Sequence, residues 1–149
     1  MRIGEICTVQ TSVCHRDTTV QAAAAIMRDQ HVGDLVVIDD QAGERIPVGI
    51  VTDRDIVVSV IALGLDPTSL QVDDIMSDDL LVMSEADDVY DIIARMRARG
   101  IRRVPVVNGA GGLAGIVSAD DLVEFLADEM GELARIASHQ RAQEKRARH

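Results

Sequence analysis

Aromatic residues are almost absent from this chain, and their scarcity limits the ligands that it can bind. The 149 residues include one Tyr, one Phe and no Trp, and the formal net charge at pH 7 is −10. Single-stranded nucleic acids are held by stacking on aromatic side chains, and the phosphates of any nucleic acid are neutralised by cationic ones. We therefore expect no nucleic acid as a primary ligand, although residues 139–149 form a small basic tail with four basic side chains and one acidic.

Long apolar runs and paired cysteines are also missing. No run reaches the roughly 18 residues of a membrane-spanning helix, and Met1–Glu5 contains no apolar core of a signal peptide. Cys7 and Cys14 are too few for a disulfide framework and do not form a CxxC pair. The sequence thus predicts a cytoplasmic protein with no membrane partner, and Cys14 is interpreted as a thiol of the core rather than a nucleophile activated by His15.

Groups suited to metal binding or catalysis are sparse as well. The four histidines are scattered, and no pair has the spacing of a metal site such as HExxH, so the only metal expected is a magnesium ion carried by ATP. Neighbouring carboxylates at Asp53 and Asp55, or at Asp120 and Asp121, could act as general acid and base. No nucleophile accompanies them, and we expect that the protein is not an enzyme.

The chain contains an internal repeat, which is its most informative feature. Four pairs of segments match: Ile3–Thr8 with Val72–Ser77, Val20–Arg28 with Val89–Arg97 and Leu35–Asp39 with Val104–Asn108 at an offset of 69 residues, and Gly49–Ile56 with Gly115–Leu122 at an offset of 66. The first repeat therefore has three additional residues in the loop at residues 40–47. We divide the chain into repeat 1 (residues 1–66), repeat 2 (residues 67–126) and a C-terminal helical extension (residues 127–149).

Hydrophobic periodicity alternates between strand and helix in each repeat. The short apolar runs at Leu35–Asp39 and Val104–Asn108 are typical of buried strands, and each follows a segment with the spacing of an amphipathic helix. The first helix is expected to begin at Asp17 or Thr18, and its counterpart to end at Gly100. The resulting β-α-β-β-α order predicts an α/β (α+β) fold, in which two pseudo-twofold-related repeats pack through their sheets and form two clefts.

One motif occurs once in each repeat, as Gly-Ile-Val-Thr-x-x-Asp at residues 49–55 and Gly-Ile-Val-Ser-x-x-Asp at residues 115–121. The hydroxyl of Thr52 or Ser118 precedes a helix whose free N–H groups suit phosphate, and the carboxylate of Asp55 or Asp121 can accept from both hydroxyls of a ribose. A nucleotide offers both groups. Helix capping alone also explains each pair, but it does not require the same glycine and apolar residues in both copies.

Together with Val72–Ser77 and the Arg-Arg-Val-Pro-Val-Val run at residues 102–107, these motifs resemble a tandem pair of cystathionine β-synthase (CBS) domains, a Bateman module of the stand-alone prokaryotic type. The resemblance covers residues 1–126 and includes no catalytic domain. It implies a disc with two clefts that bind AMP, ADP, ATP or S-adenosylmethionine, and a regulatory effect on an unidentified protein. It also implies that Asp55 and Asp121 bind ribose and that Thr52 and Ser118 contact phosphate.

The resemblance further implies that each cleft is built from both repeats. The cleft of Asp55 is then completed by Asp79, Leu81, Ile101, Arg102 and Arg103, and the cleft of Asp121 by Gln10, Ser12, Val32, Gly33 and Asp34. Ile50 and Ile116 would flank the adenine base, although a place in the core explains them equally well.

The charges around the two motifs differ, and they predict unequal clefts. The residues concerned are Arg54, Arg102 and Arg103 around Asp55, and Asp34 and Asp120 around Asp121. Because arginine binds phosphate through a bidentate fork and a carboxylate repels it, we expect the phosphorylated ligand in the Asp55 cleft. We expect the Asp121 cleft to be empty, to bind weakly or to suit a less anionic adenosine compound. The alternative is that the arginines are solvated, since adjacent residues of a strand point to opposite faces.

A helix-compatible run continues from Ala119 to about Arg146, beyond the resemblance. Its apolar residues recur at intervals of three and four, at Leu122, Leu126, Met130, Leu133 and Ile136. This stripe is too long to cover one repeat, so we expect it to pack on a second copy of the chain in a homodimer.

Two alternatives to a sensor of AMP, ADP or ATP stay open, namely a sensor of S-adenosylmethionine or NAD(H) and an interaction module that binds no ligand.

Overall fold

The computed structural model describes residues 1–147, so residues 148 and 149 at the end of the predicted extension lie outside it. Two β-α-β-β-α units follow one another, as the periodicity predicted. The elements of the first unit are β1 (Val13–His15), α1 (Val20–Gln30), β2 (Asp34–Gln41), β3 (Glu44–Thr52) and α2 (Asp53–Ile56), which continues as a π-helical turn at Val57–Ile61. Those of the second unit are β4 (Met83–Ser84), α3 (Val89–Arg99), β5 (Arg103–Val107), β6 (Leu113–Ser118) and α4 (Ala119–Ala147).

Each unit contains a three-stranded mixed sheet, with the orders β1-β2-β3 and β4-β5-β6. The first strand runs parallel to the second, and the second and third form an antiparallel hairpin. The two sheets meet through a small apolar cluster of Val36, Ile38 and Leu113, with Ile116 packed against it. The predicted packing of the repeats through their sheets is therefore confirmed.

The three additional residues of repeat 1 lengthen this hairpin instead of forming a loop. β2 and β3 remain paired as far as Gln41 and Glu44, and Ala42 and Gly43 form the turn with positive φ values of 51° and 80°. In repeat 2 the hairpin is shorter, and the Asn108 side chain closes its loop by accepting hydrogen bonds from the backbone N–H groups of Ala110 and Gly112. A two-residue turn of this kind lets the two strands stay hydrogen-bonded up to the turn itself. The sequence predicted a loop here because the residues of the segment are mostly polar.

The helix ends follow local chemistry. Thr19 caps α1 by accepting a hydrogen bond from the N–H of Ala22, whereas the Thr18 hydroxyl accepts from the N–H of His15. The prediction of Asp17 or Thr18 as the cap was therefore wrong by one or two residues, because Thr18 is used by the preceding turn. Gly100 ends α3 in the left-handed conformation at φ 64°, as predicted.

Two short segments cross over between the units. We call residues 3–8 the N-terminal arm and residues 72–77 the central arm; each begins with a 3₁₀ turn. Ile3 of the N-terminal arm is fully buried in the core of the second unit, which includes Val104. Val72 of the central arm is fully buried in the core of the first unit, which includes Leu35. Each apolar core is thus completed by the arm of the other repeat.

The C-terminal helix α4 extends well beyond the second unit, as predicted. Leu122 and Phe125 pack into the core of that unit, and further along the helix Met130, Leu133 and Ile136 have 63–69% of their surface exposed. None of the helices in residues 1–147 combines the length and the apolar character needed to cross a bilayer. Cys14 is 3% exposed within the first core, which confirms its interpretation as a core thiol.

Candidate functional site

The glycine of each repeated motif allows an arm to approach the backbone of the opposite unit. A Cβ atom at Gly115 would lie 2.6 Å from the carbonyl oxygen of Thr8, and one at Gly49 would lie 2.8 Å from the carbonyl oxygen of Ser77. Both distances are far shorter than normal contacts between a Cβ atom and an oxygen. The glycines therefore serve the packing of the arms, and the close approach expected from the sequence is made by protein backbone.

The hydroxyl and carboxylate of each motif form a capping box. The Asp55 N–H donates to the Thr52 hydroxyl over 3.1 Å, and the Thr52 N–H donates to Oδ2 of Asp55 over 2.9 Å. Ser118 and Asp121 form the same two hydrogen bonds at the start of α4, with the same lengths. Each box uses one oxygen of its aspartate, and the other oxygen can accept from a ligand. Capping and ligand binding are thus compatible uses of one motif.

A cavity of about 610 Å³ opens between the first capping box and the second unit. Its wall combines the end of β3 and the start of α2 with the chain that follows the central arm and the start of β5. The lining residues are Gly33, Asp34, Ile50, Thr52, Asp53, Arg54, Asp55, Ser77, Asp79, Leu80, Leu81, Ile101, Arg102 and Arg103. The cavity therefore draws on both repeats.

Most of the lining matches the residues that the sequence assigned to the Asp55 cleft, namely Ile50, Thr52, Arg54, Asp55, Asp79, Leu81, Ile101, Arg102 and Arg103. Arg102 and Arg103 both line the cavity, so strand alternation does not separate them. The reason is that β5 begins at Arg103, and Arg102 lies in the bend before the strand.

Gly33 and Asp34 line the Asp55 cavity, although the sequence placed them in the cleft of Asp121. In the antiparallel register of β2 and β3, Asp34 is paired with Thr52, and the N–H of Asp53 donates to the carbonyl of Gly33 over 2.9 Å. The start of β2 therefore lies beside the first capping box. This placement corrects the expected distribution of charge, because Asp34 now faces the arginines.

The remaining predicted site residues do not line this cavity: Gln10, Ser12, Val32, Ile116, Ser118, Asp120 and Asp121. Ile116 pairs with Thr8 of the N-terminal arm, Ser12 donates to the side chain of Gln30, and Val32 packs against the first core. Asp120 accepts a hydrogen bond from Arg102 over 3.3 Å. The capping boxes of Ser118 and Thr52 have the same hydrogen bonds. Asp120, which follows Ser118 in the chain, nevertheless contacts Arg102, a lining residue of the cavity beside Thr52.

The charges in the cavity nearly cancel. Three arginines and four aspartates line it, whereas the sequence predicted an excess of arginine. Arg103 forms an ion pair with Asp34, and Asp79 pairs with Arg99 over 2.6 Å. Burial, together with the neighbouring charge of Asp53, raises the pKa of Asp34 above its usual value despite the lowering by Arg103. The attraction of the cavity for phosphate is therefore weaker than the count of arginines indicates.

Sequence reasoning missed Asp53, Ser77 and Leu80 as lining residues. Ser77 pairs with Ile50 through two backbone hydrogen bonds of 3.1 and 3.2 Å. This pairing places the residues that follow the central arm beside the cavity. A usable signal was present, because Ser77 matches Thr8 in the repeat and each lies opposite the isoleucine of a motif. In residues 1–147 no three His, Cys, Asp or Glu side chains are grouped to hold a metal ion.

Comparison with known proteins agrees with this architecture. The family model described as CBS domain matches residues 3–61 and again residues 72–128. An uncharacterized protein of Methanopyrus kandleri, MK0525, is 30% identical over 122 residues, which cover 82% of this chain and 61% of that protein. This chain thus spans less than two thirds of that relative.

Two solved structures share the fold. Hypoxic Response Protein I, solved with two coordinated zinc ions, has 27% identity and a TM-score of 0.72 over 84% of this chain and 98% of its own. The CBS domain pair of MJ0100, solved in complex with 5′-methylthioadenosine and S-adenosyl-L-methionine, has 22% identity and a TM-score of 0.72 over 85% and 99% of the two chains. With two matches to the family model and these neighbours, the chain belongs to the CBS domain family as a tandem pair.

Proposed function

We propose that this CBS pair is a regulatory module that binds an adenosine ligand of the AMP, ADP or ATP type and signals to a protein partner without catalysing a reaction. The observation that carries the proposal is the cavity of about 610 Å³ beside the Thr52 and Asp55 capping box. Its volume lies in the range of roughly 300–1,000 Å³ that is common for small-molecule sites.

The lining of the cavity matches the three parts of a nucleotide. Ile50, Leu81 and Ile101 supply apolar surface for a base, and the second oxygen of Asp55 is an acceptor for ribose hydroxyls. Arg54 and Arg102 are the cavity arginines outside the Asp34 ion pair, and their guanidinium groups can bind phosphate. These features favour a nucleotide over an apolar metabolite or a metal ion.

The ligands of the solved neighbours are relevant to different degrees. The MJ0100 pair shows that a protein of this fold accommodates adenosine compounds, and its low identity limits the comparison to the fold. Zinc, which Hypoxic Response Protein I coordinates, is not proposed for residues 1–147, because these contain no suitable group of ligands.

Thermal melting and calorimetry with AMP, ADP, ATP, NAD(H) and S-adenosylmethionine test this function. A ligand present at 100 times its Kd stabilises the native protein by about 2.7 kcal/mol, which a melting curve detects readily. We expect at least one adenine nucleotide to bind, with Asp55→Ala abolishing the binding. Asp121→Ala is the matched control, because it removes the same type of cap from the other repeat.

Three results would contradict the proposal. Loss of binding in Asp121→Ala with full binding in Asp55→Ala would move the site to the other box. The absence of any thermal shift would favour an interaction module that binds no ligand. Turnover of a nucleotide by the purified protein would show an enzyme.

A second function, self-association through α4, is favoured by the exposed apolar stripe on that helix. Val123, Met130, Leu133 and Ile136 are each 63–69% exposed, and an apolar stripe of this size is typical of an interface. We propose that a second copy of the chain covers it.

The charges of α4 support an antiparallel arrangement of the two copies. The half up to Glu132 carries six acidic residues and no basic one, and in the half from Leu133 to Ala147 the basic residues are Arg135, Arg141, Lys145 and Arg146, against one acidic residue. Antiparallel helices place each acidic half beside a basic half, while parallel helices place like charges together. An antiparallel twofold dimer therefore satisfies both the stripe and the charges.

A further inference from the structure

The ion pair between Asp34 and Arg103 joins equivalent positions of the two repeats. The two residues are 69 apart, which is the offset of the repeat, and each stands at the start of the central strand of its sheet. Asp34 is paired in register with Thr52, and Arg103 with Ser118. The pair therefore lies between the two capping boxes, across the pseudo-twofold axis.

This ion pair differs from the other contacts of the cavity arginines in its burial. The Asp34 side chain is 20% exposed and that of Arg103 is 45% exposed. Arg102 and its partner Asp120 are 74% and 83% exposed, so solvent screens that contact strongly. Arg54 forms no ion pair with residues in the described part of the chain. Arg103 is thus the cavity arginine that the protein itself holds most firmly.

We propose that the carboxylate of Asp34 binds the guanidinium of Arg103 where a ligand phosphate would otherwise bind. Asp34 thereby sets the preference of this cavity between phosphorylated and unphosphorylated adenosine ligands. This inference rests on the proposed function. A phosphate that approaches Arg103 must displace the carboxylate of Asp34, whereas an uncharged adenosine leaves the ion pair intact. Asp34 is therefore a specificity-determining residue that selects against phosphate.

The environment of Asp34 adds to the cost of this displacement. Burial raises the pKa of Asp34, Arg103 lowers it, and the neighbouring Asp53 raises it further. An ionised Asp34 that has lost Arg103 would remain partly buried beside another carboxylate, which is unfavourable. The charge of Arg103 is consequently less available to a ligand than its position in the cavity indicates.

Calorimetry with AMP and adenosine on the full chain tests this assignment. Asp34→Asn keeps the shape of the side chain and removes its charge. We expect the affinity for AMP to rise about fivefold in this variant, because a charge-assisted contact to Arg103 becomes available, while the affinity for adenosine stays within about twofold.

Two further variants separate the specific effect from a general change in charge. Asp39→Asn removes one charge from the same strand, where Asp39 pairs with Arg16 and is 30% exposed, and it should leave the ratio of AMP to adenosine affinity unchanged. In an Arg103→Gln background, Asp34→Asn should no longer favour AMP. Melting curves of all variants establish that each one is folded.

The possible failures can be distinguished. If adenosine and AMP bind but Asp34→Asn leaves their affinity ratio unchanged, the role of Asp34 is overturned and the proposed function stands. The role of Asp34 is also overturned, and the proposed function stands, if Asp34→Asn raises the ratio of AMP to adenosine affinity as much in the Arg103→Gln background as in the wild type. If neither compound binds the wild-type chain or Asp34→Asn, the role of Asp34 is overturned, and the proposed function is overturned with it only when ADP and ATP also fail to bind the wild-type chain.

Discussion

Thr8 and Ile116 exchange two backbone hydrogen bonds, of 2.9 and 3.0 Å, although they lie in different repeats. Ile50 and Ser77 form the equivalent pair in the other direction. These contacts attach each arm beside a repeated motif, so the geometry of the capping boxes depends on the arms. A substitution that disturbs the packing of an arm should therefore lower the stability of the protein and alter the capping box beside that arm.

Gly115→Ala should destabilise the protein by about 2 kcal/mol, because the added Cβ atom would lie 2.6 Å from the carbonyl oxygen of Thr8 and overpack the contact. Gly109→Ala is the control, since no atom lies within 4 Å of a Cβ atom at that position. Urea denaturation of the two variants measures the difference. Equal stability of both would show that the N-terminal arm does not pack against Gly115.

Ile3→Ala should lower the free energy of unfolding by about 2–4 kcal/mol, as expected for a large apolar side chain removed from a core. Ile3 is 0% exposed, whereas Val9, a few residues along the chain, is 72% exposed. Val9→Ala should change the stability by less than about 0.5 kcal/mol. Chemical denaturation of both variants provides the comparison, and a small effect of Ile3→Ala would contradict the exchange of arms.

Leu133→Glu should convert the proposed dimer into a monomer, because it places a charge in the middle of the apolar stripe of α4. Ala142→Glu introduces the same side chain on the opposite face of the same helix and should leave the dimer intact. Light scattering across a concentration series gives the mass of each variant. A monomeric wild-type chain, or a dimer that survives Leu133→Glu, would remove this face of the helix from the interface.

Cys14 should make stability depend on pH in the alkaline range. Burial raises the pKa of its thiol from 9.0 to about 11. The stabilisation that comes from keeping the thiol neutral is fully present below about pH 9, and it is lost as the pH rises through about 11.

Urea denaturation of the wild type and Cys14→Ala at several pH values tests this dependence. The wild type should be the more stable protein at neutral pH, because Cys14 fills part of the first core. The stability gap should narrow between about pH 9 and pH 11. A gap that stays constant over this range would mean that the thiol titrates alike in the folded and unfolded chain.

The sequence predicted the order of the elements and the repeat 1 side of the cavity from local patterns, whereas the lining residues of repeat 2 followed from the resemblance to a CBS pair. Apolar periodicity located the strands and helices, and the motif at Thr52 and Asp55 specified a capping box together with an acceptor. The hairpin turn at Ala42 and Gly43 was missed because polar residues of an extended hairpin resemble those of a loop.

The exchange of arms could not be predicted from the same patterns. Ile3 and Val72 occupy matching positions in the repeat, and each is apolar, so either one fits either core by composition. The path of the chain between the units decides which core each arm enters, and no local propensity encodes that path. A signal for the central ion pair was present, since Asp34 and Arg103 are equivalent positions with opposite charges.

The crossed arms also have a consequence for folding during synthesis on the ribosome. Residues emerge from the N-terminus onward, and domains generally fold as they are released. The first core is not complete when the two strands of its hairpin have emerged, because it also contains Val72, which lies in repeat 2. Ile3 is synthesised well before its partners Val104 and Val117, so the N-terminal arm stays unprotected until most of the second unit has emerged.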